Sequence, residues 1–286
     1  MASSPFAGTG VREALDSALV ALNGAGVDTP RLDAEILLGH ALGVDRTALW
    51  LDPDREVAGD AARWFRDAIR RRTVERVPVA YLVGHKGFRH LDLLVDQRVL
   101  VPRPETEHLV EALLDLPQGA RVHDVGTGSG AIALALKDER PDLRVSASDV
   151  SPDALAVARA NAERLGLKVS FSQGDLLDGV DGNLDVVVSN PPYVQDGDRA
   201  TMMPEVVRHE PGLALFAGAD GLRTIRPLLT QAAATRATLV ALEVGAGQAP
   251  AVRALVAAAG FPEVSTVTDL AGHERVVLGH RWDRST

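Results

Sequence analysis

Apolar residues in the first quarter of the chain recur at helical spacing. Val11, Leu15, Ala18 and Leu22 share one face of a helix that Gly24 stops. Thr29 and Pro30 read as N-cap and first helical residue of a second helix, which runs through Leu32, Ile36, Leu37 and Ala41 and closes at Gly43. A third carries Ala61, Trp64, Phe65, Ala68 and Ile69. With no strand-like alternation in this stretch, residues 1–76 are expected to form a small helical bundle.

The pattern changes at residue 77. Pro78, Gly84 and Gly87 punctuate it, and Phe88–Val95 and Val99–Val101 alternate as strands, which predicts a β-hairpin linker over 77–103. Pro102-Arg103-Pro104 forces an extended segment before a helix from about Glu105 to Leu114. Beyond it, strands and helices take turns. The strands predicted are Arg121–Val125, Arg144–Ser148, Lys168–Ser172, Leu184–Ser189, Ala237–Val244, Glu263–Val267 and Arg275–Gly279. Helices are predicted over 129–139, 151–165, 221–234 and 248–259, the second opened by Ser151-Pro152-Asp153 as cap, first residue and acidic first turn. Residues 104–286 therefore read as one α/β domain with a mostly parallel sheet covered on both faces.

Composition narrows the chemistry. The chain has 286 residues, of which 46% are hydrophobic and 24% charged, as a folded globular protein does. It has no cysteine, which excludes disulfides, cysteine-held zinc, iron–sulfur clusters and thiolate nucleophiles. No signal-peptide pattern opens the sequence and no apolar run approaches a membrane span, so a cytoplasmic protein without membrane contact is expected. The net charge of −9 argues against phosphate-driven nucleic-acid binding. One basic cluster stands out, Arg63, Arg66, Arg70, Arg71, Arg72 and Arg76. It reads first as a solvated helix face and second as a docking patch for an acidic partner. The eight histidines show no metal-ligand spacing, and no metal is expected.

Two motifs carry the function. Strand Arg121–Val125 runs into Gly126-Thr127-Gly128-Ser129-Gly130 and then a helix, and Asp149 ends the next strand. Glycines let the backbone approach a ligand, and a strand-end carboxylate can accept both hydroxyls of a ribose. The spacing is G-x-G-x-G rather than the dinucleotide fingerprint, so a pyrophosphate is not the best guess. This pair resembles the class I S-adenosylmethionine-dependent methyltransferases. The resemblance implies a Rossmann-like fold with a seven-stranded, mostly parallel sheet, here joined to a small N-terminal helical domain by the hairpin linker. It also implies S-adenosylmethionine as cofactor, S-adenosylhomocysteine as product, and an adenine site at Asp175 and Leu176.

The second motif, Asn190-Pro191-Pro192-Tyr193, follows the fourth strand, where an α/β sheet presents its ligands. An amide or aryl-amine nitrogen is a poor nucleophile because its lone pair is delocalised. The Asn190 side-chain oxygen and the Pro191 carbonyl can accept its two N–H groups, while the prolines keep the turn rigid. Tyr193 offers a stacking face, and Asn190 stands between cofactor and target. Methyl transfer to a planar nitrogen is the chemistry this set fits, by orientation and preorganisation rather than covalent catalysis.

Further segments identify the target. Pro78-Val79-Ala80-Tyr81-Leu82-Val83-Gly84, the run Pro102-Arg103-Pro104-Glu105-Thr106-Glu107, Glu210-Pro211, and Glu243-Val244-Gly245 with Gln248 together resemble the HemK/PrmC family. That resemblance implies methylation of the N5 amide of the glutamine in the Gly-Gly-Gln motif of peptide chain release factors. It implies that Arg103, Glu105 and Thr106 line the pocket, that the helical domain docks the release factor, and that the enzyme binds no nucleic acid stably and works as a monomer. Two other readings share or borrow the motifs. One is amino-group methylation of DNA adenine or ribosomal guanine; the other is a silent binding module on a methyltransferase fold.

Overall fold

The computed structural model describes residues 9–281. Residues 1–8, where the signal-peptide reading begins, and 282–286 lie outside the described residues. The chain divides into two compact units. One runs to Gly84 and takes in Met203–His209; the other holds His85–Met202 and the chain from Glu210 onward.

The first unit comprises β1 (Thr9–Gly10), α1 (Val11–Gly24), α2 (Pro30–Leu42), α3 (Arg46–Leu51), β2 (Glu56–Val57), α4 (Gly59–Arg70), a π-turn over Arg71–Glu75 and α5 (Val79–Val83). Its core is built from the predicted helical stripes, with Leu22, Ala34, Leu37 and Leu38 fully buried. Three details differ from the sequence reading. The two-residue strands pair antiparallel, too short to leave a periodic signature. Thr29 sits before α2 but donates to the Asp33 carboxylate at 2.8 Å instead of capping a backbone N–H. Helix α3 arises where no helix is predicted, capped by Asp45, which accepts from Ala48 N at 2.8 Å.

The arginine cluster is the larger correction. Arg72 and Arg76 are buried rather than solvated. Arg72 donates to Asp33 at 2.7 Å and to Glu205 at 2.9 Å; Arg76 donates to the other Glu205 oxygen at 2.7 Å and to the Ala25 carbonyl at 2.8 Å. Outside the core, Arg70 pairs with Asp67 and Glu75, and Arg63 with Asp60. The solvated face is therefore narrower than the six-residue cluster: Arg63, Arg66 and Arg70 are exposed and Arg71 is partly so.

The second unit begins with the hairpin β3 (His85–Phe88) and β4 (Leu91–Leu94). It is shorter than the linker predicted over 77–103: Val79–Val83 is helical, and Val99–Val101 forms no strand ahead of Pro102 and Pro104. A 3-10 turn over Pro104–Thr106 leads into α6 (Glu107–Glu111). There follow β5 (Arg121–Val125), α7 (Ala131–Glu139), β6 (Arg144–Asp149), α8 (Pro152–Leu165), β7 (Ser170–Gln173) and β8 (Val186–Ser189). Helix α9 (Pro204–His209) belongs to the first unit, and the chain then completes the second with α10 (Ile225–Ala234), β9 (Leu239–Glu243), α11 (Ala249–Ala258), β10 (Glu263–Thr268) and β11 (Glu274–His280).

The sheet has seven strands in the order β10-β11-β9-β8-β5-β6-β7; β11 alone runs opposite to the others, antiparallel to both β10 and β9, and the remaining pairings are parallel. The α/β fold expected from the strand–helix alternation is therefore the one formed. Apolar runs such as Val186-Val187-Val188 are buried on both faces, one packed with Leu109, Leu134 and Val145, the other with Leu228, Val240 and Val252. Asn161 of α8, fully buried, ties three segments together. It accepts from Leu94 N at 2.7 Å and donates to the carbonyls of Leu94 and Ser129 at 3.0 and 2.9 Å.

Removing one member of a buried ion network leaves its partners uncompensated. Arg72→Met should destabilise the first unit by about 3 kcal/mol or more, measured by urea unfolding followed by tryptophan fluorescence, to which Trp50 and Trp64 of this unit contribute. Against the opposing cost of burial, Glu205 is held below the ordinary glutamate range by its own backbone N–H and then by Arg76 and Arg72. The wild-type advantage should accordingly be full at neutral pH and shrink as pH falls through that lowered value. An Arg72→Met protein as stable as wild type at pH 7 would show the network to be dispensable.

Candidate active site

The parallel strands β5, β6 and β8 end along one edge, and each hands its last peptide groups to a side chain or loop. Ser148 O receives Gly126 N at 2.9 Å and Thr127 N at 3.0 Å, and the Ser189 hydroxyl donates to Val125 O at 2.6 Å. Asp149, at the end of β6, accepts Gly128 N on one oxygen and Ser151 N on the other, both at 2.9 Å. Ser151 in turn caps α8, accepting from Ala154 N at 3.2 Å. The glycine loop, the ribose-type acid and the next helix are thus one hydrogen-bonded unit.

Gly126 and Gly128 have φ of +72° and +57°, a region that favours glycine, and a Cβ at either would meet no protein atom within 4 Å. Both border a cavity of about 260 Å³. Asp149, Asp175, Leu176, Asn190, Pro191 and Pro192 also line it. Thr127, Ser129 and Gly130 do not. Thr127 donates to Asp124 at 2.6 Å, the Ser129 carbonyl accepts from Asn161 at 2.9 Å, and Gly130 opens α7. Leu176 is strained, with φ of +56°, and its carbonyl is held by the Ser148 hydroxyl at 2.9 Å.

Two buried carboxylates stand behind this lining, and neither is assigned a role by the sequence reading. Asp124, the residue before Val125, is fully buried; its Oδ1 has no hydrogen-bond partner, and burial pushes its carboxyl up to about 7. Glu243, at the end of β9, is equally buried, leaves Oε2 unpartnered and is pushed up to about 7 by burial. Their sequence signal is position alone: an acid as the last polar residue of a strand otherwise buried on both faces. His123, by contrast, is held between the Ser146 and Ser148 hydroxyls at 2.8 and 2.9 Å, and burial draws it down to about 4, so it is a neutral strand residue.

The Asn190–Tyr193 turn is fixed from several sides. Asn190 Nδ2 donates to the Thr106 hydroxyl at 3.1 Å, leaving Oδ1 as the amide's acceptor. The Tyr193 hydroxyl donates to Glu243 at 3.3 Å, and its carbonyl accepts from Gln248 Nε2 at 2.9 Å. A Cβ on Gly221 would lie 2.3 Å from the Tyr193 carbonyl oxygen, so glycine is required there for the close approach. Tyr193, Arg103, Glu105 and Thr106 are not among the cavity-lining residues, unlike the expectation for them. Arg103 reaches instead to Glu210, at 2.7 and 2.8 Å from its two oxygens. Thr106 is buried behind Asn190, Glu105 lies in the 3-10 turn, and Tyr193 turns its phenol inward. Among the described residues, no group of three or more His, Asp or Glu side chains gathers to hold a metal ion.

Residues 13–84 match the PrmC N-terminal domain, and residues 104–212 match the methyltransferase small domain. The chain is 44% identical over 276 residues to a release factor glutamine methyltransferase of Deinococcus radiodurans, covering 95% of this chain and 98% of that protein. It is 42% identical to the one of Rhodospirillum rubrum, over 96% of this chain and 89% of that one. The chain belongs to the release factor glutamine methyltransferase family. Its fold is shared more widely. A human Mettl16 catalytic domain, solved with an RNA hairpin, superposes with a TM-score of 0.54 at 16% identity, covering 79% of this chain and 83% of that one. A methyltransferase from Pyrococcus furiosus does so with a TM-score of 0.50 at 21% identity, over 68% of this chain and 89% of that chain. Set in this family, the chain is a methyltransferase enzyme, and the conjunction of glycine loop, Asp149 and Asn190 at one cavity is the part of the fold suited to that chemistry.

The raised carboxyl of Asp124 has a direct consequence for this methyltransferase. An unfolded aspartate loses its proton near 3.8, while the folded one keeps it to about 7, so stability falls as pH rises across that interval and is level above it. Asp124→Asn removes this loss. From pH 5 to pH 8, the melting temperature of the variant should move upward relative to wild type by about 3 °C or more, read by differential scanning calorimetry. A gap that stays constant with pH would mean that Asp124 does not carry the shifted proton.

Proposed function

We propose that this enzyme transfers a methyl group from S-adenosylmethionine to the N5 amide of the glutamine in the Gly-Gly-Gln motif of peptide chain release factors. The observation that carries this reading is the joint lining of one cavity by Gly126, Gly128 and Asp149 on one side and by Asn190 and Pro191 on the other. Relatives of the same length and name, at 40–44% identity, support it over amino-group methylation of a nucleic acid, as does a net charge of −9. The reading carries with it a cytoplasmic location, a monomeric enzyme and a release factor docked partly on the helical unit. No helix among the described residues is long and apolar enough to cross a membrane.

The residues present fit the cofactor. The open space over Gly126 and Gly128 admits close backbone approach, and Asp149 keeps lone pairs for ribose hydroxyls. Asp175 and Leu176 would face its adenine. When bound, S-adenosylmethionine would supply a sulfonium methyl as electrophile: the S–CH3 bond breaks as the N–CH3 bond forms, S-adenosylhomocysteine leaves, and the methylated nitrogen gives up one proton to water. The chain's own contribution is at the nitrogen. Asn190 Oδ1 and the Pro191 carbonyl would accept the two amide N–H groups, holding the nitrogen in one plane and its lone pair toward the methyl. The same acceptors stabilise the positive charge that develops on those N–H groups during attack. Pro191 and Pro192, with fixed φ and no N–H, keep the acceptors aimed. Without a cysteine anywhere in the chain, no thiolate intermediate intervenes.

Incubation with labelled S-adenosylmethionine and a release factor should label the factor but not its Gln→Ala variant in the Gly-Gly-Gln motif. Equal labelling of both, or labelling of DNA instead, would overturn the substrate. Asn190→Ala should lower turnover by about a hundredfold or more while S-adenosylhomocysteine binds within a few-fold of wild type by calorimetry. Gly126→Val should do the reverse, losing cofactor affinity first, because its side chain fills the space over the loop.

A further inference from the structure

Glu243 is the last residue of β9, buried to 1% exposure, with one carboxylate oxygen lacking a hydrogen-bond partner. Two hydroxyls address it: Tyr193, 3.3 Å from Oε1, and Thr106. Thr106 is itself buried, and its oxygen receives Asn190 Nδ2 at 3.1 Å. All four residues belong to the second unit. A threonine hydroxyl has one hydrogen to give, and an ionised carboxylate can only accept. When Glu243 is ionised, the Thr106 hydrogen is therefore drawn to it, and the Thr106 lone pairs must be met by a donor. The Asn190 –NH₂ is that donor, which turns Oδ1 the other way.

We propose that Glu243 is a positioning residue: its negative charge, relayed through the Thr106 hydroxyl, sets the polarity of the Asn190 amide so that Oδ1 faces the glutamine nitrogen. The inference rests on the functional reading above, which makes that oxygen an acceptor for a substrate N–H. A neutral group at 243 can itself donate to Thr106. The Thr106 hydrogen is then free to turn to Asn190, and the amide can reverse, placing a donor against the donor it must bind.

The surroundings permit both states near neutral pH. Burial raises the Glu243 carboxyl to about 7, with Glu105 acting in the same direction, whereas Thr106, Tyr193 and the charge of Arg275 on β11 oppose it. Arg275 is itself held by Asp269 at 3.0 Å and by the Val244 carbonyl at 3.2 Å, and Arg103, which acts on Tyr193, is bound to Glu210. Among the described residues neither Arg103 nor Arg275 forms an ion pair with Glu243, so its proton can come and go without breaking one.

Substitutions at Glu243 and Thr106, followed by kinetics and by a resonance titration, test the relay. Glu243→Gln should lower kcat by about tenfold or more, as misaligned reacting groups do, while KM for the release factor and affinity for S-adenosylhomocysteine change less than about twofold. Wild-type kcat should fall as pH drops below about 7, and this limb should be absent in Glu243→Gln. Thr106→Val should behave like Glu243→Gln, and Thr106→Ser, which keeps the hydroxyl, should recover most of the lost turnover. Independently of substrate, the Asn190 side-chain amide resonance, assigned by its loss in Asn190→Ala, should titrate near neutral pH in wild type and not in Glu243→Gln. Unchanged kcat in Glu243→Gln, equal turnover of Thr106→Val and Thr106→Ser, or an Asn190 titration that survives Glu243→Gln would overturn the relay. Failure of wild type to methylate any release factor would instead overturn the functional reading, and the resonance titration would still decide the relay.

Discussion

Parallel strands that end inside a protein leave peptide groups that must find partners, and this constraint organises the second unit. Strands β5, β6, β8 and β9 run side by side in one direction, so their final residues share an edge. At each end the groups are satisfied by a short polar side chain or by the loop turning back: Ser148 O by two loop amides, Val125 O by Ser189, Leu176 O by Ser148. Because these bonds are made inward, the outward sides of the loops are left to a ligand. Site and fold share the same hydrogen bonds, and the rigidity required for methyl transfer is a by-product of satisfying buried backbone.

Asp124 and Glu243 extend this logic to charge. Each ends a run of buried strand residues, one before the glycine loop and one before Val244, and each keeps one oxygen unpaired. A buried carboxyl without a cation is costly to ionise, and a fold that tolerated it for stability alone would do better with an apolar residue of the same size. Asp124 adjoins Val125 of the cavity wall, and Glu243 stands one residue further back, reaching the lining residue Asn190 by way of Thr106. The cost is thus concentrated where polarity can act on a bound molecule, in contrast to the helical unit, where the buried charges of Asp33, Arg72, Glu205 and Arg76 are fully paired.

Much of this was legible in the chain. Strand–helix alternation yielded every strand of the large sheet to within a few residues, because apolar runs bounded by loops read clearly. The glycine loop, Asp149 and Asn190–Tyr193 were visible because backbone geometry and proline chemistry leave local signatures. What was hidden depended on partners distant in sequence. Arg72 and Arg76 looked like a solvated stripe because Glu205, which buries them, lies about 130 residues away, at separations of 133 and 129. Arg103 looked like a pocket residue because its partner Glu210 is 107 positions on. Thr106 was expected to line the pocket; its contact with Asn190, which spans 84 residues, leaves no local signature. The hairpin was placed too broadly because the prolines at 102 and 104 shape Val99–Val101 as an extended strap that finds no partner strand.

The division between lining and backing residues bears on how such a site handles a weak nucleophile. An amide nitrogen gains nothing from a strong base in the ground state, because its proton is far less acidic before methylation than after it. What helps is a fixed pair of acceptors that keep the nitrogen's lone pair aligned and receive its growing positive charge. The cavity matches that need. The turn that borders it offers an amide oxygen and proline carbonyls, while the raised carboxyls and the phenol of Tyr193 stay behind. Titratable groups placed there do not exchange protons with a substrate; they decide which way a neutral amide points. In a site built this way, the alignment of Asn190 is governed by charges the substrate never touches.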